Sequence, residues 1–383
     1  MKTTTAFLLS AIVIAGGASA TARYGETSAT PAEQKITAAR ARIERSPAKP
    51  DGHNELAMAL ARRARETADP IYYTQAAAAI AESRRLSPGN LDADKIEAWL
   101  LLGQHEFGRA LDVARRINRR MPDDLMTYGM LVDACVELGR YPEAEEAAQW
   151  MLNMRPGTVP GLTRAAYLRE IFGDTEGALE LMRMALDQVQ TREAEERAWI
   201  LTQISHLELT AGRVDRAQAA ADEALRLFPN YHYALGALAK VYERKGDHAR
   251  EASLLAERHR VAPHPENLFA WAEALVRGGQ VADATAKFEQ FEQQARAEMT
   301  RADNANRELA LYYVDHAGKA SEGVSVMERE IARRRDVGTL DVYAWALFKA
   351  GRRAEAKRAI DEALAVGTVE PTIRRHAEQI RGN

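Results

Sequence analysis

The sequence holds a single cysteine, Cys135, so an internal disulfide is impossible, and no CxxC pair exists. It also lacks an HExxH helix, a GxSxG elbow and a GxxxxGK[ST] loop, which removes the motif-based arguments for an enzyme. Aromatic residues make up only 7%, which fits alanine-rich helices, and no strand-rich segment is visible. Charge of one sign is missing too. A formal net charge of -3 gives no global attraction for nucleic acid or an anionic membrane. The local basic runs at Arg115 to Arg120 and Arg333 to Arg335 read as solvated outer faces of helices. The densest histidine group, His232, His248, His259 and His264, contains no i, i+4 pair, so neither a metal nor a cofactor is expected. Adjacent acidic pairs such as Glu145-Glu146 and Glu195-Glu196 diverge around a helix and do not form an acid and base couple.

Beyond the first twenty residues there is no apolar run near the roughly 20 residues that a membrane span needs. Met1 to Ala20 is a different object. Lys2 supplies a charged start, Phe7 to Ala15 an apolar stretch, and Ala18-Ser19-Ala20 a small-residue cleavage site. Residues 1–20 thus read as a secretory signal peptide, which implies a periplasmic or secreted protein, with an uncleaved anchor as the alternative. Residues 21–31, rich in Thr, Ala and Ser, read as a flexible leader, and helical patterning occupies residues 32–381.

The clearest unit is Asp123 to Pro156. Tyr128, Leu131, Val132 and Cys135 share one helical face, Gly139 closes that helix, and Pro142 opens the next. The second helix presents Ala144, Ala148, Met151 and Leu152 before Pro156 stops it. The same punctuation recurs along the chain. Turn glycines fall at 139, 173, 212, 246, 279, 318 and 351, with separations of 34, 39, 34, 33, 39 and 33. The longer gaps place extra residues near Val189 to Glu193 and Ala295 to Asp303, each expected to lengthen a helix or loop. His105 occupies one glycine place, so that turn is expected to shift toward Gly103. Glu251 and Gly323 replace the usual alanine, and those interfaces are expected to be looser. Asp303 to Asn306 is expected to cap the helix that follows. Trp199, Trp271 and Trp345 are expected to pack between helices.

These residues, at these spacings, resemble the tetratricopeptide repeat, a 34-residue helix-turn-helix unit. The resemblance implies an all-α, right-handed solenoid of about nine stacked units, with Ala32 to Ser46 as a partial N-terminal repeat and a C-terminal capping helix over Glu370 to Ile380. It also implies a concave groove lined by the first helix of each unit. Carried onto this chain, the groove places are Asp133, Arg164, Tyr167, Trp199, Gln203, His206, Tyr233 and Lys240. Such a mixture of cation, aromatic and amide suits an extended peptide or a carboxylate terminus, with Arg164 and Lys240 pointing into solvent. Gly129 and Asp133 stand where chaperone-binding members carry a lysine and asparagine clamp, so chaperone binding is not expected. The function expected is a non-enzymatic scaffold for a protein or peptide partner, not for nucleic acid. The alternative is an accessory subunit of a cell-envelope assembly, secretion or cytochrome-maturation machine, working through its convex face or its ends.

Overall fold

The computed structural model describes residues 29–191 and 193–382, and among these every regular element is an α-helix. The proposed signal segment and most of the leader lie outside the described residues. Helix α1 (Pro31–Arg45) stands ahead of nine antiparallel hairpins. The first four pair α2 (Asp51–Thr67) with α3 (Ile71–Leu86), α4 (Leu91–Gly103) with α5 (Phe107–Arg120), α6 (Leu125–Glu137) with α7 (Tyr141–Met154), and α8 (Val159–Ile171) with α9 (Thr175–Gln188). Three more join α10 (Ala194–Thr210) to α11 (Val214–Leu227), α12 (His232–Lys245) to α13 (His248–Val261), and α14 (Pro265–Arg277) to α15 (Val281–Glu298). The last two are α16 (Asn306–Asp315) with α17 (Ala320–Ile331) and α18 (Val337–Lys349) with α19 (Arg353–Leu364), followed by α20 (Pro371–Gly382).

The repeating glycines do what their spacing implies. Each of the seven has positive φ, the left-handed conformation that closes a helix without a Cβ penalty. Alanines at the packing places, among them Ala144, Ala178, Ala217, Ala284 and Ala356, are almost wholly buried, so the helices of a hairpin meet nearly backbone to backbone. At the N-terminus Thr30 and Glu33 form a reciprocal capping box, and the Thr30 hydroxyl also donates to Glu66 at 2.6 Å, which fixes α1 against α2. The extra residues before α10 become a short loop and a 17-residue helix, and those after Ala295 prolong α15 to 18 residues.

Three local expectations are corrected. The turn at His105 is not displaced. α4 runs through Gly103, and His105 itself adopts positive φ, stacks on Phe107 and faces Asp303. Gly103 serves a different purpose, because a Cβ there would lie 2.5 Å from the Tyr73 hydroxyl. Gly323 tightens its interface instead of loosening it: a Cβ would meet Val314 Cγ1 at 2.7 Å, so only glycine allows α16 and α17 to come this close. Glu251 is buried but fully engaged, accepting from Arg277 Nη2 at 2.5 Å and paired with His248 Nδ1 at 2.9 Å, which ties α13 to α14. The Asp303–Asn306 stretch does cap α16, from Asn304 one residue ahead of the N-cap Ala305. Asn304 Oδ1 accepts from the Asn306 backbone, while the Asn306 amide donates to the buried Glu330 carboxylate at 3.0 Å.

The stack also touches itself. Units about five apart meet along a continuous seam. His232 Nε2 donates to the Arg65 carbonyl at 3.0 Å, and Arg65 pairs with Glu195. His105 and His264 both approach Asp303, at 3.5 and 3.7 Å. The Arg335 amide donates to the Glu137 carbonyl at 3.0 Å, and the Val337 amide to the Tyr141 hydroxyl at 3.0 Å. Finally the Gly173 turn rests on the Gly367 carbonyl, in the loop before α20. A backbone this close requires a residue without a side chain at 173.

Candidate functional site

Because successive turns of the superhelix touch, its concave face lines an axial channel and not an open groove. Two chambers follow one another along the channel, of about 740 and 650 Å³, and Tyr167, Arg307 and Asp336 line both. These volumes lie within the range of small-molecule and peptide sites. First helices supply most of the wall. In a helix hairpin the first member faces inward, so every unit contributes side chains from positions three or four residues apart on one face.

All eight groove residues named from the sequence reach this channel. Asp133, Arg164, Trp199, Gln203 and Tyr233 line the larger chamber, His206 and Lys240 the smaller, and Tyr167 stands between them. Their availability differs. Arg164 does not point into solvent: its Nη2 binds Asp133 at 2.5 Å and its Nε donates to the Gly129 carbonyl at 3.0 Å. Gly129 makes that possible, since a Cβ there would sit 3.0 Å from the guanidinium carbon. His206 is paired with Glu170 at 2.7 Å. Lys240 is exposed to the channel. Tyr167, Trp199, Gln203 and Tyr233 have no side-chain hydrogen-bond partner among the described residues, although each lines the cavity. Trp199 therefore serves the channel wall as well as the packing expected of it. Trp345 is packed as expected, stacked on His376 with its indole N–H donating to Asp315. Trp271 sits between His259 and the Lys287 ammonium.

The opposite wall was not legible in the sequence. Arg307, Arg334, Asp336, Glu137 and Glu266 come from units far apart in the chain and are gathered by the seam. Arg307 and Arg334 approach Asp336 at 3.7 and 3.9 Å, and Arg334 approaches Glu137 at 3.6 Å. Burial, reinforced by Asp336, pushes the Glu137 carboxyl up to about 7. Burial also opposes ionisation of Glu266, but Arg258, with His264 and Arg307, outweighs it and holds that carboxyl at about 2. Tyr167 is 42% open, yet the space it opens onto is enclosed by protein, and that desolvation raises its hydroxyl well above the usual tyrosine range. His232 is pushed down to about 4 by burial, so its ring is neutral and donates through Nε2.

The smaller chamber has a different character. Its lining carries seven carboxylates, from Glu170, Glu273, Glu308, Asp315, Asp336, Asp341 and Glu370, against the cations Lys240 and Arg307. Glu170 and Asp341 are hydrogen-bonded to histidines, at 2.7 Å to His206 and 2.9 Å to His376. Among the described residues no group of three or more His, Cys, Asp or Glu side chains has a metal-binding arrangement.

Residues 202–266, from α10 to the start of α14, match the tetratricopeptide repeat family. The fold is that of a tetratricopeptide-repeat solenoid. Solved structures agree with this. A chain of the APC/C hetero-tetramer Cut9–Hcn1 superposes with a TM-score of 0.50 at 12% identity, over 88% of this chain and 56% of that one. The present chain thus spans little more than half of that protein's length. The human IFIT1 dimer with PPP-AAAA gives 0.50 at 12% identity, over 89% of this chain and 96% of that one. A monomeric IFIT1 mutant with Gppp-AAAA gives 0.53 at 15% identity, over 83% and 71%. No curated protein matches the sequence. At these identities the likeness concerns the tetratricopeptide fold alone, and function has to be argued from the channel.

Proposed function

We propose that this tetratricopeptide solenoid is an exported, non-enzymatic scaffold that holds an extended polypeptide segment along its axial channel. The observation that carries the reading is the row Tyr167, Trp199, Gln203 and Tyr233, presented by three successive first helices to one cavity with no intramolecular hydrogen-bond partner. A side-chain amide, two phenols and an indole can pair peptide N–H and C=O groups while their apolar parts cover side chains. A polyanion such as nucleic acid is a poor occupant, because the second chamber sets seven carboxylates against two side-chain cations. Export is supported by the charged start, short apolar stretch and small-residue site in residues 1–20. Among the described residues no helix is long and apolar enough to cross a membrane.

The test is site-specific photocrosslinking, with a benzophenone side chain placed in turn at Tyr167, Gln203 and Tyr233, and at the exposed Met184 on the outer helix α9. The channel positions should all crosslink to one linear stretch of a single polypeptide, at successive residues. Adducts from Met184 with none from the channel positions would overturn the proposal in favour of an accessory subunit working through its convex face.

A further inference from the structure

We infer that the chain assembles head to tail with copies of itself, each copy continuing the seam of the one before. The inference is independent of what the channel holds. Within one chain the seam joins two different edges, the turns inside hairpins and the linkers between hairpins. The turn of the third hairpin meets the linker before α18, and the turn of the fourth meets the linker before α20, so each pairs with the linker that opens the sixth unit further on. The chain ends after nine hairpins and α20. Turns from the fifth hairpin onward therefore have no linker to meet, and the linkers ahead of the first four hairpins have no turn. The glycines record this division. A Cβ at Gly139 would lie 2.7 Å from the Arg335 carbonyl oxygen and one at Gly173 2.5 Å from that of Gly367, whereas at Gly212, Gly246, Gly279, Gly318 and Gly351 it would meet no described residue within 4 Å. The linker edge divides the other way: at Gly367 a Cβ would lie 3.0 Å from the Phe172 carbonyl oxygen, while at Gly89 and Gly157 it would meet no described residue within 4 Å.

A second copy supplies the missing halves. Even-numbered helices come first in the hairpins and odd-numbered ones second, so α20 lacks a second helix and α1 lacks a first. With α20 of one copy beside α1 of the next they make a tenth unit, and the count runs on. The sixth unit beyond the Gly246 turn then opens with the Gly89 linker of the next copy, and the sixth beyond the Gly318 turn with its Gly157 linker, which repeats the contact of Gly173 on Gly367. Between these two, the turn flanked by Val276 and Val281 comes onto the linker that begins at Met121. Of the ten large apolar side chains that stand open to water among the described residues, Met121, Met126, Met154, Val276 and Val281 lie on the two free edges, and Val281 is 66% exposed. Exposed apolar side chains gathered in this way mark a contact surface. The outer faces of α20 and α1 are polar, with Arg375 and Glu378 on one and Arg40 and Glu44 on the other, so the apolar contribution comes from the edges and assembly depends on concentration. A contact between two different surfaces leaves one of each free at the ends, so it propagates and carries the channel from copy to copy.

The test is sedimentation velocity on the full chain across a concentration series. The mean mass should rise through two chains and beyond, with no plateau at two. Val281→Asp spoils the turn edge and Met121→Asp the linker edge. Both side chains are exposed in the single chain, so neither change should lower the melting temperature, and each should weaken association about tenfold or more. Mixing the two variants is a finer check, because each keeps one sound edge. The turn edge of Met121→Asp can join the linker edge of Val281→Asp and nothing further can add, so the mixture should stop at two chains. Met184→Asp, on the outer helix α9 and outside both free edges, should assemble as the wild type does. A mass of one chain up to about 1 mM, association that survives both edge substitutions, or a mixture that grows past two chains would each overturn the inference.

Discussion

Gly173 and Gly212 occupy equivalent turns, with φ of 84° and 75°, but only the first touches another part of the superhelix. At Gly212 an added Cβ meets nothing within 4 Å, whereas at Gly173 it would lie 2.5 Å from the Gly367 carbonyl oxygen and 3.2 Å from Val369 Cγ1. Gly212→Ala should therefore cost only the left-handed backbone penalty, about 1–2 kcal/mol. Gly173→Ala adds a clash with backbone that cannot rotate away, and overfilling of this kind typically costs a further 1–3 kcal/mol or so. Two readouts follow. Urea unfolding should rank Gly173→Ala below Gly212→Ala by at least about 1 kcal/mol. Hydrogen exchange should rise in the Gly367 to Val369 loop and in α20 for Gly173→Ala, two hundred residues along the chain from the change, and stay local to the α10–α11 turn for Gly212→Ala. Equal losses in the two variants, with unchanged exchange in the loop before α20, would refute the seam as an energetic contact.

Between about pH 4.5 and 7 two buried groups pull stability in opposite directions: Glu137, held protonated in the folded state, takes stability away as pH rises, while His232, pushed down to about 4, returns it between about 4 and 6.5. Glu137→Gln should therefore make stability in urea titrations climb more steeply with pH across this window than in the wild type, and an unchanged pH profile would refute the protonated buried carboxyl. Arg164→Leu should cost about 1–3 kcal/mol in thermal or urea melts, since it strips a partner from Asp133 and from the Gly129 carbonyl; an unchanged melt would mean the arginine is free for ligand. Ala178→Leu, at a wholly buried packing place, should cost about 1–3 kcal/mol by the same measurement. Gly103→Ala should force the Tyr73 ring to move, seen as a change in near-ultraviolet circular dichroism with far-ultraviolet signal retained.

Much of the hairpin pattern could be read from residue order, because helix period, turn glycine and packing alanine are local signals that agree with one another. Gly139, Tyr141 and Ala144 specify a turn and a close contact wherever the unit sits in space. The inward places could be read for the same reason, since the face a residue occupies is set within its own hairpin. Closure could not. Whether Gly173 meets Gly367 depends on small rotations summed over about five units, and no residue between them announces the total. The same limit hid the opposite wall of the channel, and it explains why Arg164 looked free: its partners, Asp133 and Gly129, belong to the preceding unit. Asp303 to Asn306 did carry a signal. Its polar residues were read as a cap, their commonest local use, and Asn304 does accept the Asn306 N–H; what the local pattern did not announce is that Asp303 also faces His105 across the seam and that the asparagines hold Glu330.

The seam has a consequence for time and not only for shape. In an open solenoid a bound segment can peel off sideways, so its residence is set by the contacts it makes. Here the wall beside the channel is latched by the Arg335 and Val337 amides and by the Gly173 turn. A segment inside can leave only by sliding out endwise or by waiting for the latch to part. Long dwell times then need no large buried area, and a partner with bulky folded domains on both sides of the held segment would be retained much like a bead that cannot pass over the knots in its string.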